Sequence, residues 1–138
     1  MPFRRVLLVK PSGRSGLGFL VDQIPIGLEY IAANIEDVVE EIHIVDMEME
    51  KYNFQHLIDV YHPDLVGITM SATEHNEGLR LAKIAKINDV ATIVGGYHAT
   101  SVPDLLLSHP QIDMVARGEG ELTMREIVEE DCSEGVLG

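Results

Sequence analysis

The stretch Ile93-Val94-Gly95-Gly96-Tyr97-His98-Ala99-Thr100, followed further along by Arg117-Gly118-Glu119-Gly120-Glu121, decides the fold. Each segment closes a short apolar run with glycine, and each is followed by a helical pattern. In an open parallel α/β sheet such turns form the rim where ligands bind, outside the carboxyl ends of the strands. Glycine there lets the backbone approach a bulky ligand with no side chain intervening. The pattern predicts a binding domain for a nucleotide-like cofactor.

Working outward, Val6-Leu7-Leu8-Val9 is a continuous apolar run ended by Pro11, Gly13 and Gly16, as expected of a strand buried on both faces. Ile42–Val45, Leu65–Met70, Ala91–Val94 and Asp113–Ala116 read as further strands. Between them, Pro25 suits a first helical turn, and Ile24, Leu28, Ile31, Ala32 and Ile35 recur at helical spacing. Helices are also predicted from Phe54 to Tyr61, stopped by Pro63, from the turn at Ser71–Asn76 through Ile87, from Pro103 to Ser108, and from Glu121 to Glu130. Parallel strands need crossover connections. The chain is therefore read as α/β, a doubly wound five-stranded parallel sheet of flavodoxin-like (Rossmann-like) type, strand order 2-1-3-4-5. The ligand crevice falls between the first and third strands.

That topology gathers Ser12–Leu17, Thr69–His75, Gly95–Thr100 and Gly118–Glu121 at one rim. Backbone amides and small hydroxyls converge there, suited to phosphate or amide groups. The long connection from Lys10 to Gln23 is the kind of loop that carries function.

With 138 residues, the chain is one domain able to bury a real core. A net charge of −13 excludes nucleic acid and disfavours anionic membranes as partners. The lone Cys132 forms no internal disulfide and, with no signal peptide or spanning run, points to the cytoplasm. Six histidines show no metal-site spacing, and no nucleophile and base stand together. Neither catalytic nor metal-ligating residues are assigned.

Several doubly wound ligand classes can be weighed. A phospho-accepting receiver needs an aspartate ending its third strand, where this chain has Thr69-Met70-Ser71. A flavin site would use a hydroxyl-rich first loop, which Ser12-Gly13-Arg14-Ser15-Gly16 mimics weakly, and flanking aromatics, for which only Tyr97 is available. Asp46 could hold a ribose, but the G-x-G-x-x-G fingerprint is absent after the first strand. Corrinoid binding remains.

There the likeness becomes specific. Pro25-Ile26-Gly27-Leu28-Glu29-Tyr30-Ile31-Ala32-Ala33, Asp64-Leu65-Val66-Gly67-Ile68-Thr69, Val94-Gly95-Gly96-Tyr97-His98-Ala99-Thr100 and Ile112-Asp113-Met114-Val115-Ala116-Arg117-Gly118-Glu119-Gly120-Glu121 follow a family order over almost the whole chain. The chain resembles the amino-terminal cobalamin-binding domain of radical S-adenosylmethionine enzymes, the group containing the anaerobic magnesium-protoporphyrin monomethyl ester cyclase and many methyltransferases. The resemblance implies cobalamin as the cofactor of this domain. Its site would take in Ser12, Gly13, Gly16 and Leu17 of the first loop, and Thr69 and Ser71 beside the slot for the dimethylbenzimidazole tail. Gly95 and Gly96 would let the tail pass close to the backbone, Tyr97 and His98 would lie just beyond, and Gly118 and Glu119 would complete the rim.

The first loop lacks the D-x-H-x-x-G motif, so no histidine from it replaces the cofactor's base on cobalt; a base-off corrinoid is expected. The resemblance further implies a downstream radical barrel as partner, holding a [4Fe-4S] cluster and S-adenosylmethionine, whose C-x-x-x-C-x-x-C motif this chain lacks. Gly135-Val136-Leu137-Gly138 reads as an unfinished strand entry, so a fragment of such an enzyme is expected. In that enzyme cobalt would carry a methyl group or generate a radical, for methyl transfer or oxidative cyclisation. The domain alone would not turn over. The alternative is a corrinoid-free interaction or substrate-gating module that keeps the fold. Under the corrinoid reading, Gly96→Trp should block the tail slot with the fold retained.

Overall fold

The structure, a computed structural model, describes residues 3–12, 26–71, 74–96, 101–117, 120–130 and 135–137. Strands β1 (Arg5–Lys10), β2 (Glu41–Asp46), β3 (Leu65–Thr69), β4 (Ala91–Gly95), β5 (Met114–Ala116) and β6 (Gly135–Leu137) pair in parallel in the order β2-β1-β3-β4-β5-β6. The order expected for the first five is observed, and β6 extends the sheet beyond β5. The strand entry read from Gly135 onward is this β6, paired with β5.

Helices α1 (Ile26–Ile35), α2 (Phe54–Tyr61), α3 (His75–Ile87), α4 (Pro103–Leu107) and α5 (Gly120–Glu130) cover both faces. On one face, Phe54 and Leu57 of α2, Leu81 and Ala85 of α3 and Leu106 of α4 pack on Leu7, Val9, Val66, Ile68 and Val94. On the other, Leu28 and Ile35 of α1 and Met124 and Ile127 of α5 pack on Val6, Leu8, Leu65 and Ile93. Successive strand side chains thus enter opposite cores, which is why the central strands are apolar throughout. At Gly67 of β3 an added Cβ would lie 2.7 Å from Leu8 Cδ2 and 3.3 Å from Met124 Cε, so glycine lets α5 sit close against the sheet.

Local signals set the ends of α2. Asn53 caps it by accepting from the His56 amide at 2.9 Å. His62 then turns left-handed (φ 48°) and donates its amide to the Ile58 carbonyl at 2.9 Å, ahead of Pro63. Arg125 ties α5 to α1 through the Asn34 carbonyl (2.7 Å) and both oxygens of Asp37 (2.8 and 3.0 Å). The guanidinium holds the Asp37 carboxyl below the usual carboxylate range.

Two aspartates fasten the edge of the sheet opposite the rim. Asp64, before β3, accepts from the Arg4 and Arg5 amides of the chain entering β1 at 2.9 and 3.1 Å. Asp113, expected within the fifth strand, lies just ahead of it instead. Its carboxylate accepts from the Thr92 amide at 3.0 Å and from Lys86 Nζ at 2.6 Å. Because Thr92 is fully buried, its amide has no water to turn to. Asp113→Ala is therefore expected to cost about 2 kcal/mol in urea unfolding; a loss under about 0.5 kcal/mol would mean that the backbone amide finds another acceptor.

Candidate functional site

The carboxyl ends of β1, β3, β4 and β5 form the rim. Thr69 and Gly95 are register partners, and the Met70 amide, one residue past β3, donates to the Gly95 carbonyl at 3.0 Å. The chain then turns at Gly96 with φ +105°, a conformation open to glycine and strained for other residues. A Cβ at Gly96 would lie 3.1 Å from the Met70 carbonyl oxygen and 3.3 Å from Thr69 Oγ1, so the Thr69 hydroxyl stands directly against this turn. At Gly95 the nearest atom to such a Cβ would be that of Ala116 at 3.9 Å. The ends of β3 and β4 therefore present a hydroxyl and bare backbone.

One strand over, Val9 pairs with Ile68, so Lys10 at the end of β1 and Pro11-Ser12 beyond it border the end of β3. Of the expected site residues, Ser12, Thr69, Ser71, Gly95 and Gly96 are placed on this one edge of the sheet, with Thr69, Gly95 and Gly96 in immediate proximity. Gly13, Gly16, Leu17, Tyr97, His98, Gly118 and Glu119 lie outside the described residues.

Sequence reasoning missed Glu74. Its residue is only 8% exposed. Oε1 accepts from the Ser71 amide at 3.1 Å and from Ser71 Oγ at 2.9 Å, while Oε2 faces Lys10 Nζ at 3.6 Å. The Glu74 amide in turn donates to the Ser71 carbonyl at 3.1 Å. The signal was present as Ser71-Ala72-Thr73-Glu74, the S-x-x-E spacing of a capping box at the entry to α3. Nothing in that spacing reveals Lys10.

Other candidates resolve into structural roles. The His75 ring packs edge-on against His109, centroids 5.9 Å apart. Asp46 Oδ1 accepts from the Glu48 amide at 3.0 Å and so caps the turn after β2, in keeping with the absence of a dinucleotide fingerprint. Among the described residues no group of three or more His, Cys, Asp and Glu could hold a metal ion, and no helix is long and apolar enough to cross a membrane. Hydroxyls, amides and glycine backbone suit this rim to holding a ligand rich in amide and phosphate groups.

The comparisons with known proteins agree with that geometry. A family described as the B12 binding domain matches residues 18–128. An uncharacterized methyltransferase of Pyrococcus horikoshii is 36% identical over 94% of this chain and 30% of its own length. The cytidylyl-2-hydroxyethylphosphonate methyltransferase of Streptomyces wedmorensis is 30% identical over 88% of this chain and 27% of its own length. The anaerobic magnesium-protoporphyrin IX monomethyl ester cyclase of Rubrivivax gelatinosus is 30% identical over 90% and 24%. The chain thus spans less than a third of each of these relatives.

Among solved structures, the cobalamin-dependent S-adenosylmethionine radical enzyme OxsB, with aqua-cobalamin bound, superposes with a TM-score of 0.67 at 15% identity, over 91% of this chain and 18% of that one. The N-terminal domain of a hypothetical protein of Thermotoga maritima does so with 0.57 at 20% identity, over 79% and 86%. These two likenesses concern the fold. With a family match over most of its length and curated relatives of the expected kind, the chain belongs to the B12-binding domain family, as its glycine-rich loops had implied.

Proposed function

We propose that this domain binds cobalamin base-off, its tail extended into the crevice between the loops after β1 and β3, as part of a longer radical S-adenosylmethionine methyltransferase or oxidative cyclase. The observation that carries the placement is the junction of Thr69 with Gly95 and Gly96, where a hydroxyl meets bare backbone. A flat, bulky ligand needs such a stretch, because any side chain there would hold it off the sheet. To the tail we assign Thr69 and Ser71, with Ser12, Gly13, Gly16 and Leu17 of the first loop, and to the rest of the cofactor Tyr97, His98, Gly118 and Glu119. The Lys10-Pro11-Ser12-Gly13-Arg14-Ser15-Gly16 loop contains no histidine, which supports a cofactor with no lower ligand from that loop.

When bound, cobalamin supplies a cobalt centre for methyl-transfer or radical chemistry. The chain's own residues bind and orient it; the iron–sulfur cluster and S-adenosylmethionine belong to the downstream barrel of the parent. The single cysteine supports a cytoplasmic setting. Anaerobic spectroscopic titration with hydroxocobalamin and methylcobalamin is expected to give saturable binding with base-off bands. Base-on bands would overturn the tail placement. Absence of binding to both forms would overturn the cofactor reading in favour of a corrinoid-free interaction module.

A further inference from the structure

Among the described buried residues Glu74 is the one with a formally charged side chain; the other polar ones are Thr92 and Thr123. Burying a carboxylate is costly unless it is paired and hydrogen-bonded, and an apolar replacement of a buried ion pair is often neutral or stabilising. Stability alone therefore gives no reason for this charge. The turn entering α3 accounts for Oε1, which accepts from the Ser71 amide. It does not account for Oε2, which faces Lys10 Nζ at 3.6 Å, with the two side chains 11% and 17% exposed. Lys10 ends β1 and Ser71 follows β3, so one carboxylate ties together the two loops that flank the crevice.

Glu74 also holds the Ser71 side chain. An ionised carboxylate only accepts, so Ser71 Oγ donates to Glu74 Oε1 at 2.9 Å.

Resting on the cobalamin reading, we infer that Glu74 is a positioning residue that clamps the end of β1 to the segment after β3 at the crevice and holds the Ser71 side chain in place for cofactor binding. The test combines hydroxocobalamin titration with hydrogen exchange of the ligand-free chain, for wild type, Ser71→Ala, Glu74→Ala and the double variant. Each single variant should weaken binding roughly 10-fold, and the double by little more than either alone, because both remove one bonded unit. Without ligand, Glu74→Ala should speed exchange both at the Ser71 amide and across residues 8–12.

Where Glu74→Ala fails to fold, Glu74→Gln replaces it. That variant keeps an acceptor for Ser71 but removes the charge facing Lys10, so residues 8–12 should loosen while the Ser71 amide stays protected. Additive losses in the double variant, wild-type affinity in Glu74→Ala, or unchanged exchange across 8–12 would each overturn the clamp. A wild-type chain that binds no cobalamin overturns the cofactor reading and the role of Ser71 with it. The exchange data then judge the link between the loops separately.

Discussion

Gly96→Trp is expected to weaken cobalamin binding by at least about 100-fold, the effect of filling a slot that a ligand must enter. The fold is expected to be retained, but at a cost in stability. Gly96 sits at φ +105°, and any Cβ there would press to 3.1 Å from the Met70 carbonyl oxygen, which is backbone and cannot swing aside. A non-glycine residue in that conformation costs about 1–3 kcal/mol before any ligand is considered. Gly96→Ala separates the two effects. It should carry most of the strain, visible in urea unfolding, while binding cobalamin within a few-fold of wild type. Wild-type affinity in Gly96→Trp would remove the tail from this turn. An equal loss in Gly96→Ala would show that the backbone conformation, rather than open space, is what the ligand requires.

The largest loss of stability is expected from Phe54→Ala. Phe54 opens α2, is 1% exposed, and belongs to the core that α2, α3 and α4 build on one face of the sheet. Removing a buried phenyl group forfeits its transfer energy and leaves a cavity, about 3–5 kcal/mol in all. For a domain of this size that lowers the thermal midpoint by roughly 10–20 °C. Asn53 would still cap the helix, so the loss comes from packing rather than from helix initiation. A cost under about 1 kcal/mol would mean that Leu57, Ile58 and their neighbours close the gap, against the packing described. Cobalamin affinity of the folded fraction should hardly change, since Phe54 lies in the core rather than at the rim.

Much of the architecture was legible from local pattern. The runs Val6–Val9, Leu65–Thr69 and Ala91–Val94 are apolar without alternation because both faces of a central parallel strand are covered, and that requirement alone predicts helices on each side. Pro63 and the Gly95-Gly96 pair marked real boundaries. The strand entry at Gly135 was legible too, and pairing with β5 bears it out. The displacement of Asp113 to the entry of β5 was not, because its carboxylate is recruited by the buried amide of Thr92 in a neighbouring strand.

The candidate site divides in the same way. Thr69, Ser71, Gly95 and Gly96 could be named because strand ends and glycine turns are written into adjacent residues. Glu74 was half-visible, as the last member of an S-x-x-E spacing, but its ion pair with Lys10 joins residues far apart in the chain.

By itself, then, the sequence determined the fold class, the order of the first five strands and the family, and pointed to one edge of the sheet as the candidate site. Those depend on periodicity, turn chemistry and the handedness of crossovers, all of which act over short stretches. Only the tertiary structure decided that Gly96 turns against Thr69, that Asp113 fastens β4, and that one buried carboxylate links the loops after β1 and β3. Such pairings follow from the register in which distant strands meet, and the burial that makes a polar partner obligatory exists only once the sheet has formed.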